Sequence, residues 1–521
     1  MRFGFVIDQR KCIGCHACTV ACKEENQVPL GAFRTWVKYV ERGAFPSTRR
    51  YFSVLRCNHC DAAPCVTICP TVALHRRPDG IVDLDGARCI GCKSCMQACP
   101  YDALYIDPDT QTAAKCHYCA HRVEVGLAPA CVIVCPEQAI VAGDLDDPAS
   151  PVARLVAREQ VQVRKPEQGT RPKVFYLGAD TAALSPELQA AGERFMWGER
   201  PPAEASLVRM VAGLHGGDGR PDGARARTVY DVPHMPRPWG GKVSSYLWTK
   251  SIAAGAGLIT AGASGLLAAA GAAISLLFLA LTAALLVLDL RRPDRFLYIL
   301  LKPNRRSWLV WGAWILIAFG IVETLVLAGA LRGSPPGMAL ATAAVLLAVA
   351  TAGYSAFLFG QAEGRDFWQS PLKLPHLVVA AIAAGSAALL LVAPGWTGSG
   401  LAFGRPEIAL HDDRGTPAST LAPILLGTLV IHALLIGADL FSRHASHDAA
   451  LAARLLRRGA LAPRLWGGAL GVGVLLPLVL VFLGAGTESA ALTAAGAVLA
   501  LAGLWIYEDA WVKAGQSVPL S

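Results

Sequence analysis

From residue 247 onward the chain alternates long apolar stretches with short polar loops. The stretches cover roughly 247–268, 271–289, 308–331, 338–361, 376–394, 420–442, 465–486 and 489–512, each near the ~20 residues a membrane-spanning helix needs. The spacing predicts eight spanning helices, an even number that returns the C-terminus to the side where the bundle begins. Residues 1–180 contain no such stretch. They are turn-rich, with short strand-like runs at Phe3 to Ile7 and Gly80 to Leu84 that lead toward cysteines. Residues 181–245, polar and dense in Gly, Pro and Arg, predict an extended connector with little secondary structure.

Composition narrows the class. The 521 residues are 53% hydrophobic and 17% charged, with a mean hydropathy of +0.40, which excludes a disordered chain and an ordinary soluble enzyme. The net charge of +9 is modest for this length and gives no reason to expect a nucleic-acid partner. Its distribution is more informative. Loops on the N-terminal region's side of the bundle hold Arg291, Arg292, Arg295, Lys302, Arg305, Arg306, Arg365, Lys373, Arg443, Arg454, Arg457, Arg458 and Arg464, thirteen cations, against Arg332, Arg405 and Arg414 in the opposite loops. The positive-inside rule then places residues 1–180 in the cytoplasm and the bundle in the cytoplasmic (inner) membrane, multi-pass. The opening MRFGFVIDQRKC, without the apolar core of an export signal or a twin-arginine pair, leads to the same expectation.

All 16 cysteines lie between Cys12 and Cys135, in four groups of four. Cys12, Cys15, Cys18 and Cys22 are spaced C-x2-C-x2-C-x3-C, as are Cys89, Cys92, Cys95 and Cys99; Cys57, Cys60, Cys65 and Cys69 follow C-x2-C-x4-C-x3-C, and Cys116, Cys119, Cys131 and Cys135 follow C-x2-C-x11-C-x3-C. The third group, CIGCKSCMQACP, has the bacterial ferredoxin spacing in which three thiolates hold one [4Fe-4S] cluster and the fourth, followed by Pro, reaches a neighbouring one. Zinc needs a tetrahedral set that this third close cysteine does not suit, and disulfides do not persist in a cytoplasmic domain. Sixteen ligands make four [4Fe-4S] clusters with none left over. The expected fold is an α+β ferredoxin-like iron-sulfur domain followed by an all-α eight-helix transmembrane bundle.

Residues 1–180 resemble the four-cluster electron-transfer subunit of the molybdopterin oxidoreductases that serve dimethyl sulfoxide, polysulfide, thiosulfate, sulfite and formate. Four cysteine groups in this order, the internal GTRPKVFYLG from Gly169 to Gly178, and Lys23 in place of Pro after the first group carry the resemblance. It implies pairing of the first group with the fourth and the second with the third. Clusters would then be held by Cys12, Cys15, Cys18 and Cys135; by Cys22, Cys116, Cys119 and Cys131; by Cys57, Cys60, Cys65 and Cys99; and by Cys69, Cys89, Cys92 and Cys95. Spacing alone allows other pairings.

Residues 246–521 are similar to the NrfD-like polysulfide reductase membrane subunits, a quinone-reactive eight-helix anchor without haem. DLRRPDRFLYILLKPNRRSWLVWGAWIL (Asp289 to Leu316), GRDFWQSPLKLPH (Gly364 to His376) and the terminal WVKAGQSVPLS carry this second resemblance. The residues agree on haem: only His376 and His432 lie in the spans, at unmatched depths, whereas a bis-histidyl haem needs two axial partners at one depth. Quinone or quinol, menaquinone or ubiquinone, is then the expected membrane carrier.

Ionisable residues within lipid are functional candidates by default, and Lys250, Asp289, Glu323, Tyr354, Asp439 and Asp509 qualify. Plainer roles exist: an interfacial ion pair of Asp289 with Arg291 or Arg292, a snorkelling Lys250, an interfacial-belt Tyr354. Electrons leaving the last cluster need a quinone pocket at the near end of the bundle, where Lys250, Trp248, Asp289 and Tyr354 are the candidates. The expected function is a fused electron-transfer and anchor subunit, relaying electrons between a large molybdopterin (Mo or W) catalytic subunit, of sulfite or formate dehydrogenase type, and the quinone pool. A hydrogenase partner, a redox-driven proton-translocating module and a passive anchor are the rivals.

Overall fold

A computed structural model describes residues 1–44, 46–191, 226–234, 238–392 and 420–521. The centre of the expected connector, and Arg405 and Arg414 of the loop-charge count, lie outside the described residues.

The N-terminal region is built on a small sheet whose strand Phe3–Asp8 pairs in parallel with Val174–Leu177 and antiparallel with Ile140–Asp144. The core strand is FGFVID, in which Phe5, Val6 and Ile7 are fully buried. Its pairing brings distant cysteines together: Phe3–Asp8 runs into Cys12, and Ile140–Asp144 starts just after Cys135, with Ile7 opposite Ile140. A second sheet contains the hairpin Thr35–Ala44 with Ser47–Arg56, which delivers Arg56 and Cys57 to the core. Two ribbons, Leu74–Arg76 with Val82–Leu84 and Leu104–Ile106 with Ala113–Lys115, occupy equivalent places after the second and third cysteine groups. The Gly80 to Leu84 run is a strand only from Val82.

The expected connector is structured at both described ends. Gln189–Ala191 and Ala226–Tyr230 pair with each other, and the latter joins Thr35–Ala44. Composition missed this because such short strands are held by backbone bonds to neighbours distant in sequence, which local composition does not encode.

Among the described residues, seven helices are long and apolar enough to cross a membrane: Gly265–Asp289, Trp308–Leu331, Met338–Gly360, Lys373–Val392, Leu421–Phe441, Arg464–Gly486 and Ala490–Gln516. The first expected span is the helix Gly241–Thr260, which has the length but includes Ser244, Ser245, Thr249, Lys250 and Ser251. It packs against Gly265–Asp289, Met338–Gly360, Lys373–Val392 and Ala490–Gln516. Enclosed by protein, it need not be apolar. Its crossing with Lys373–Val392 is close: a Cβ on Gly255 would lie 1.8 Å from the Ala381 carbonyl oxygen, so only glycine fits.

The iron-sulfur region rests on one end of the bundle. Arg292 N donates to Ile90 O at 3.1 Å, Arg295 Nη1 to Gly86 O at 2.7 Å, Asn304 Nδ2 to Cys69 O at 2.8 Å and Ser307 Oγ to Ile68 O at 2.7 Å. The C-terminus returns to this end: Gln97 Nε2 donates to Gln516 Oε1 at 2.6 Å and Arg164 Nη2 to Leu520 O at 3.3 Å.

Candidate functional site

Each cysteine group opens with a C-x2-C loop, and in all four the residue just before the second cysteine has a left-handed backbone: Gly14, His59, Gly91 and Tyr118. That conformation turns the chain so that both thiols face one centre. Glycine adopts it without a steric cost; His59 and Tyr118 adopt it in a buried core that holds them.

The sixteen thiols are all free, and tertiary structure brings members of distant groups together. Burial and then the charge of Cys135 and Cys15 raise the Cys12 thiol, and burial, with Cys131, Cys12 and Cys15 adding to it, pushes Cys18 up to about 11. Cys22 is raised by burial and by Cys116, Cys131 and Cys119. Cys65 is raised by burial, Cys99, Cys57 and Cys60, and Cys95 by burial, Cys92, Cys89 and Cys69. One small cavity is lined by Cys12, Cys15, Cys18 and Cys135 among others, and another by Cys22, Cys116, Cys119 and Cys131 with Arg56.

The thiol sets follow one another. Cys18 neighbours Cys131, Cys116 neighbours Cys57, and Cys95 neighbours Cys65. Hydrogen bonds aim at sulfur: Ala139 N to Cys135 Sγ at 3.2 Å, Leu74 N to Cys69 Sγ at 3.4 Å, and Ala113 N to Cys89 Sγ at 3.4 Å. Cys12, Cys18, Cys22, Cys65 and Cys95, raised by burial, hold their protons tightly; a metal that replaces those protons removes the cost. The donor set therefore fits iron-sulfur clusters, which supply one-electron transfer when bound.

The set of Cys69, Cys89, Cys92 and Cys95 lies nearest the bundle. Trp239 Nε1 donates to Cys92 O at 3.1 Å, and its indole stacks on Trp368 with ring centres 5.5 Å apart. Lys93, between Cys92 and Cys95, pairs with Asp289 at 2.8 Å. At the far end Cys15 is exposed.

Of the four quinone candidates, two meet. Lys250 Nζ donates to Ala352 O at 2.8 Å and Ser355 Oγ at 3.0 Å, and lies 4.9 Å from the centre of the Tyr354 ring. Lys250 is fully buried and does not snorkel, and Tyr354 is packed inside rather than in an interfacial belt. Trp248 is elsewhere, its Nε1 donating to Leu501 O at 2.9 Å. Two residues apart on a helix point to opposite faces, which the sequence grouping overlooked. Asp289 is held by Lys93 rather than by Arg291 or Arg292.

Glu323 is buried against Gly257, with Oε1 unpartnered. Asp439 accepts from Ser370 Oγ at 2.5 Å, and Asp509 pairs with Arg464 at 2.7 Å and Lys513 at 2.6 Å. A further polar cluster was not foreseen. Lys373, counted as a loop cation, is buried, 3.4 Å from Glu508 and 3.4 Å from the Trp511 ring centre. His376, His432 and Tyr507 adjoin it, and the two imidazole centres, 4.6 Å apart, lie at one level of the bundle rather than at the unmatched depths expected from the sequence, because the helices Lys373–Val392 and Leu421–Phe441 pack side by side. The signal available in the sequence was the acidic pair Glu508–Asp509 inside an apolar run.

Comparison with known proteins gives three family matches: "4Fe-4S dicluster domain" over residues 48–145, "4Fe-4S binding domain" over 10–26, and "Polysulphide reductase, NrfD" over 231–518. Among curated relatives, a tetrathionate reductase subunit of Salmonella typhimurium is 48% identical over 202 residues, 38% of this sequence and 80% of that protein. A polysulfide reductase component of Wolinella succinogenes is 39% identical over 179 residues, 33% and 93% respectively. The arsenate respiratory reductase iron-sulfur subunit of a Shewanella species is 36% identical over 225 residues, 34% and 96%.

Proposed function

This protein belongs to the polysulphide reductase NrfD family and joins that membrane domain to a 4Fe-4S dicluster domain in one polypeptide, and from that premise we propose that it is the electron wire between a catalytic oxidoreductase subunit and membrane quinone. Four [4Fe-4S] clusters carry the current, in the order of the neighbouring thiol sets, from Cys12, Cys15, Cys18 and Cys135 to Cys69, Cys89, Cys92 and Cys95. The observation that carries this reading is the seating of the last set on the bundle, through Asn304 to Cys69 O and Trp239 to Cys92 O. An electron there is next to the membrane. Lys250 and Tyr354 supply the polar groups that proton-coupled quinone chemistry requires beside the ring.

The catalytic partner docks at the opposite end, where exposed Cys15 is flanked in sequence by Ile13 at 56% and Val20 at 64% exposure. An exposed ligand thiol leaves the first cluster open to approach by a redox partner. The relatives are named as subunits of reductases, which supports a large molybdopterin subunit with Mo or W as the partner. Loop charge supports a cytoplasmic iron-sulfur domain and eight crossings, as does the return of Gln516 and Leu520 to the domain where the bundle starts. A cytoplasmic partner favours sulfite or formate oxidation. The relatives' names, tetrathionate, polysulfide and arsenate reductase, favour the opposite current, from quinol to an inorganic acceptor.

The test is metal analysis of the anaerobically purified complex. Mo or W stoichiometric with a co-purifying large subunit supports the reading. Nickel would indicate a hydrogenase, and absence of all three with no large partner would overturn it. A reporter fused after Ser521 checks orientation: activity on the periplasmic side would reverse it.

A further inference from the structure

Arg56 ends the strand Ser47–Arg56 and directly precedes Cys57. Its side chain is 1% exposed. Nη1 donates to Cys131 Sγ at 3.1 Å, and the guanidinium lies 4.5 Å from the centre of the Phe5 ring. Nε and Nη2 are buried without a hydrogen-bond partner. The strongest charges acting on it are Cys131, Cys116 and Cys18, two from the second thiol set and one from the first.

A buried cation with unused donors is costly unless something negative accepts them. Here that partner is sulfur. A [4Fe-4S] cluster on four thiolates is anionic and gains another negative charge when reduced, so two adjacent clusters oppose each other's reduction. A cation between them offsets that repulsion, and hydrogen bonds to cluster sulfur act in the same direction. Arginine suits the place because its planar fork stacks on an aromatic ring and can donate in two directions at once.

We propose that Arg56 is a redox-positioning residue: its guanidinium lines the site of Cys22, Cys116, Cys119 and Cys131, donates to Cys131 Sγ, and raises the reduction potential of the cluster held there. The proposal rests on the reading that these thiols hold [4Fe-4S] clusters. It places a charge at the point where the current passes from the partner-side cluster into the interior.

The experiment is a potentiometric titration of the full-length protein in its complex, followed by electron paramagnetic resonance, for the unaltered protein, Arg56→Gln and Arg56→Lys, with iron and sulfide assayed in each. Gln keeps an N–H donor and loses the charge; Lys keeps the charge. In Arg56→Gln, the reduced-to-oxidised ratio of the second cluster at the wild-type midpoint should fall about tenfold, equivalent to about 59 mV for one electron. Arg56→Lys should stay nearer the wild type, and the cluster of Cys69, Cys89, Cys92 and Cys95 should not move in either variant. Full iron content with unchanged potentials in Arg56→Gln overturns the proposal. Equal loss of the second cluster's iron in both variants also overturns it, since that is a purely structural role. Absence of iron from the unaltered protein would be a failure of the cluster reading instead, and is visible separately.

Discussion

Lys93 Nζ lies 2.8 Å from Asp289 Oδ2 and also donates to the Asp289 carbonyl at 3.0 Å. One residue belongs to a cluster-binding loop and the other ends the membrane helix Gly265–Asp289. The pair is largely buried, at 6% and 16% side-chain exposure. Removing one partner leaves an uncompensated charge, a loss of about 3 kcal/mol for buried pairs. Asp289→Ala should loosen the seam, seen as faster protease release of the iron-sulfur region from membranes. Release at the wild-type rate would show that the backbone bonds of Arg292 and Asn304 suffice.

Cluster content follows from the four thiol sets. Anaerobically purified protein should contain about sixteen iron and sixteen acid-labile sulfide per polypeptide. Cys95→Ser should remove the membrane-side cluster and abolish quinone-coupled turnover while substrate-to-dye transfer, entering at the far end, continues. Zinc in place of iron, or iron for two clusters only, would refute the assignment.

At the candidate quinone site, Lys250→Met and Tyr354→Phe should depress quinone-linked turnover by about 100-fold, a usual contribution of positioned acid-base groups. Dye-linked activity should remain. Trp248→Phe, on the other face of the same helix, should leave both activities intact. Unchanged quinone turnover in Lys250→Met would remove that residue from the site.

Lys373 and Glu508 face each other inside the bundle at 4% side-chain exposure each. Glu508→Gln alone should destabilise the protein by about 3–5 kcal/mol, because Lys373 is left charged and unpaired. The double replacement Lys373→Met with Glu508→Leu should cost less than the single one. Thermal unfolding in detergent measures both, and additive losses would mean that the pair is not coupled.

His234 sits between Asp102 at 2.7 Å and Asp231 at 3.3 Å. Burial alone would lower its pKa, but the two carboxylates outweigh burial and hold it at about 9. The folded value exceeds the ordinary one of 6.5. Its stabilisation is therefore complete below about 6.5 and is lost as pH rises through about 9. The thermal midpoint should decline between pH 7 and 10 more steeply in the unaltered protein than in His234→Gln. Parallel curves would exclude the imidazolium.

Several features were legible in the linear sequence since they are local. Apolar runs of spanning length identified the seven long apolar helices, and the first strand was visible in Phe3 to Ile7. The cysteine spacings pointed to ferredoxin-type loops because bonded neighbours control where two thiols three residues apart can point. Resemblance added the family, and the family matches bear it out over residues 231–518 and 48–145.

What linear reading missed depends on which distant segments touch. The pairing of Ile7 with Ile140 brings Cys12 to Cys135, and no spacing rule contains that register. Trp248 and Lys250 are two positions apart in sequence but on opposite helix faces, so one lies against the last helix and the other against Tyr354. Arg292 and Arg295, read as topology signals, also bind backbone carbonyls of the iron-sulfur region, and Lys373 balances Glu508 in the interior. Hydropathy and charge are properties of a residue, whereas ion pairs, buried donors and cluster neighbours are properties of packing. The sequence by itself determined that sulfur ligands and long apolar helices share one polypeptide; tertiary structure decided which distant thiols are brought together, which cysteine loops lie against the helical bundle, and that Arg56 donates to Cys131.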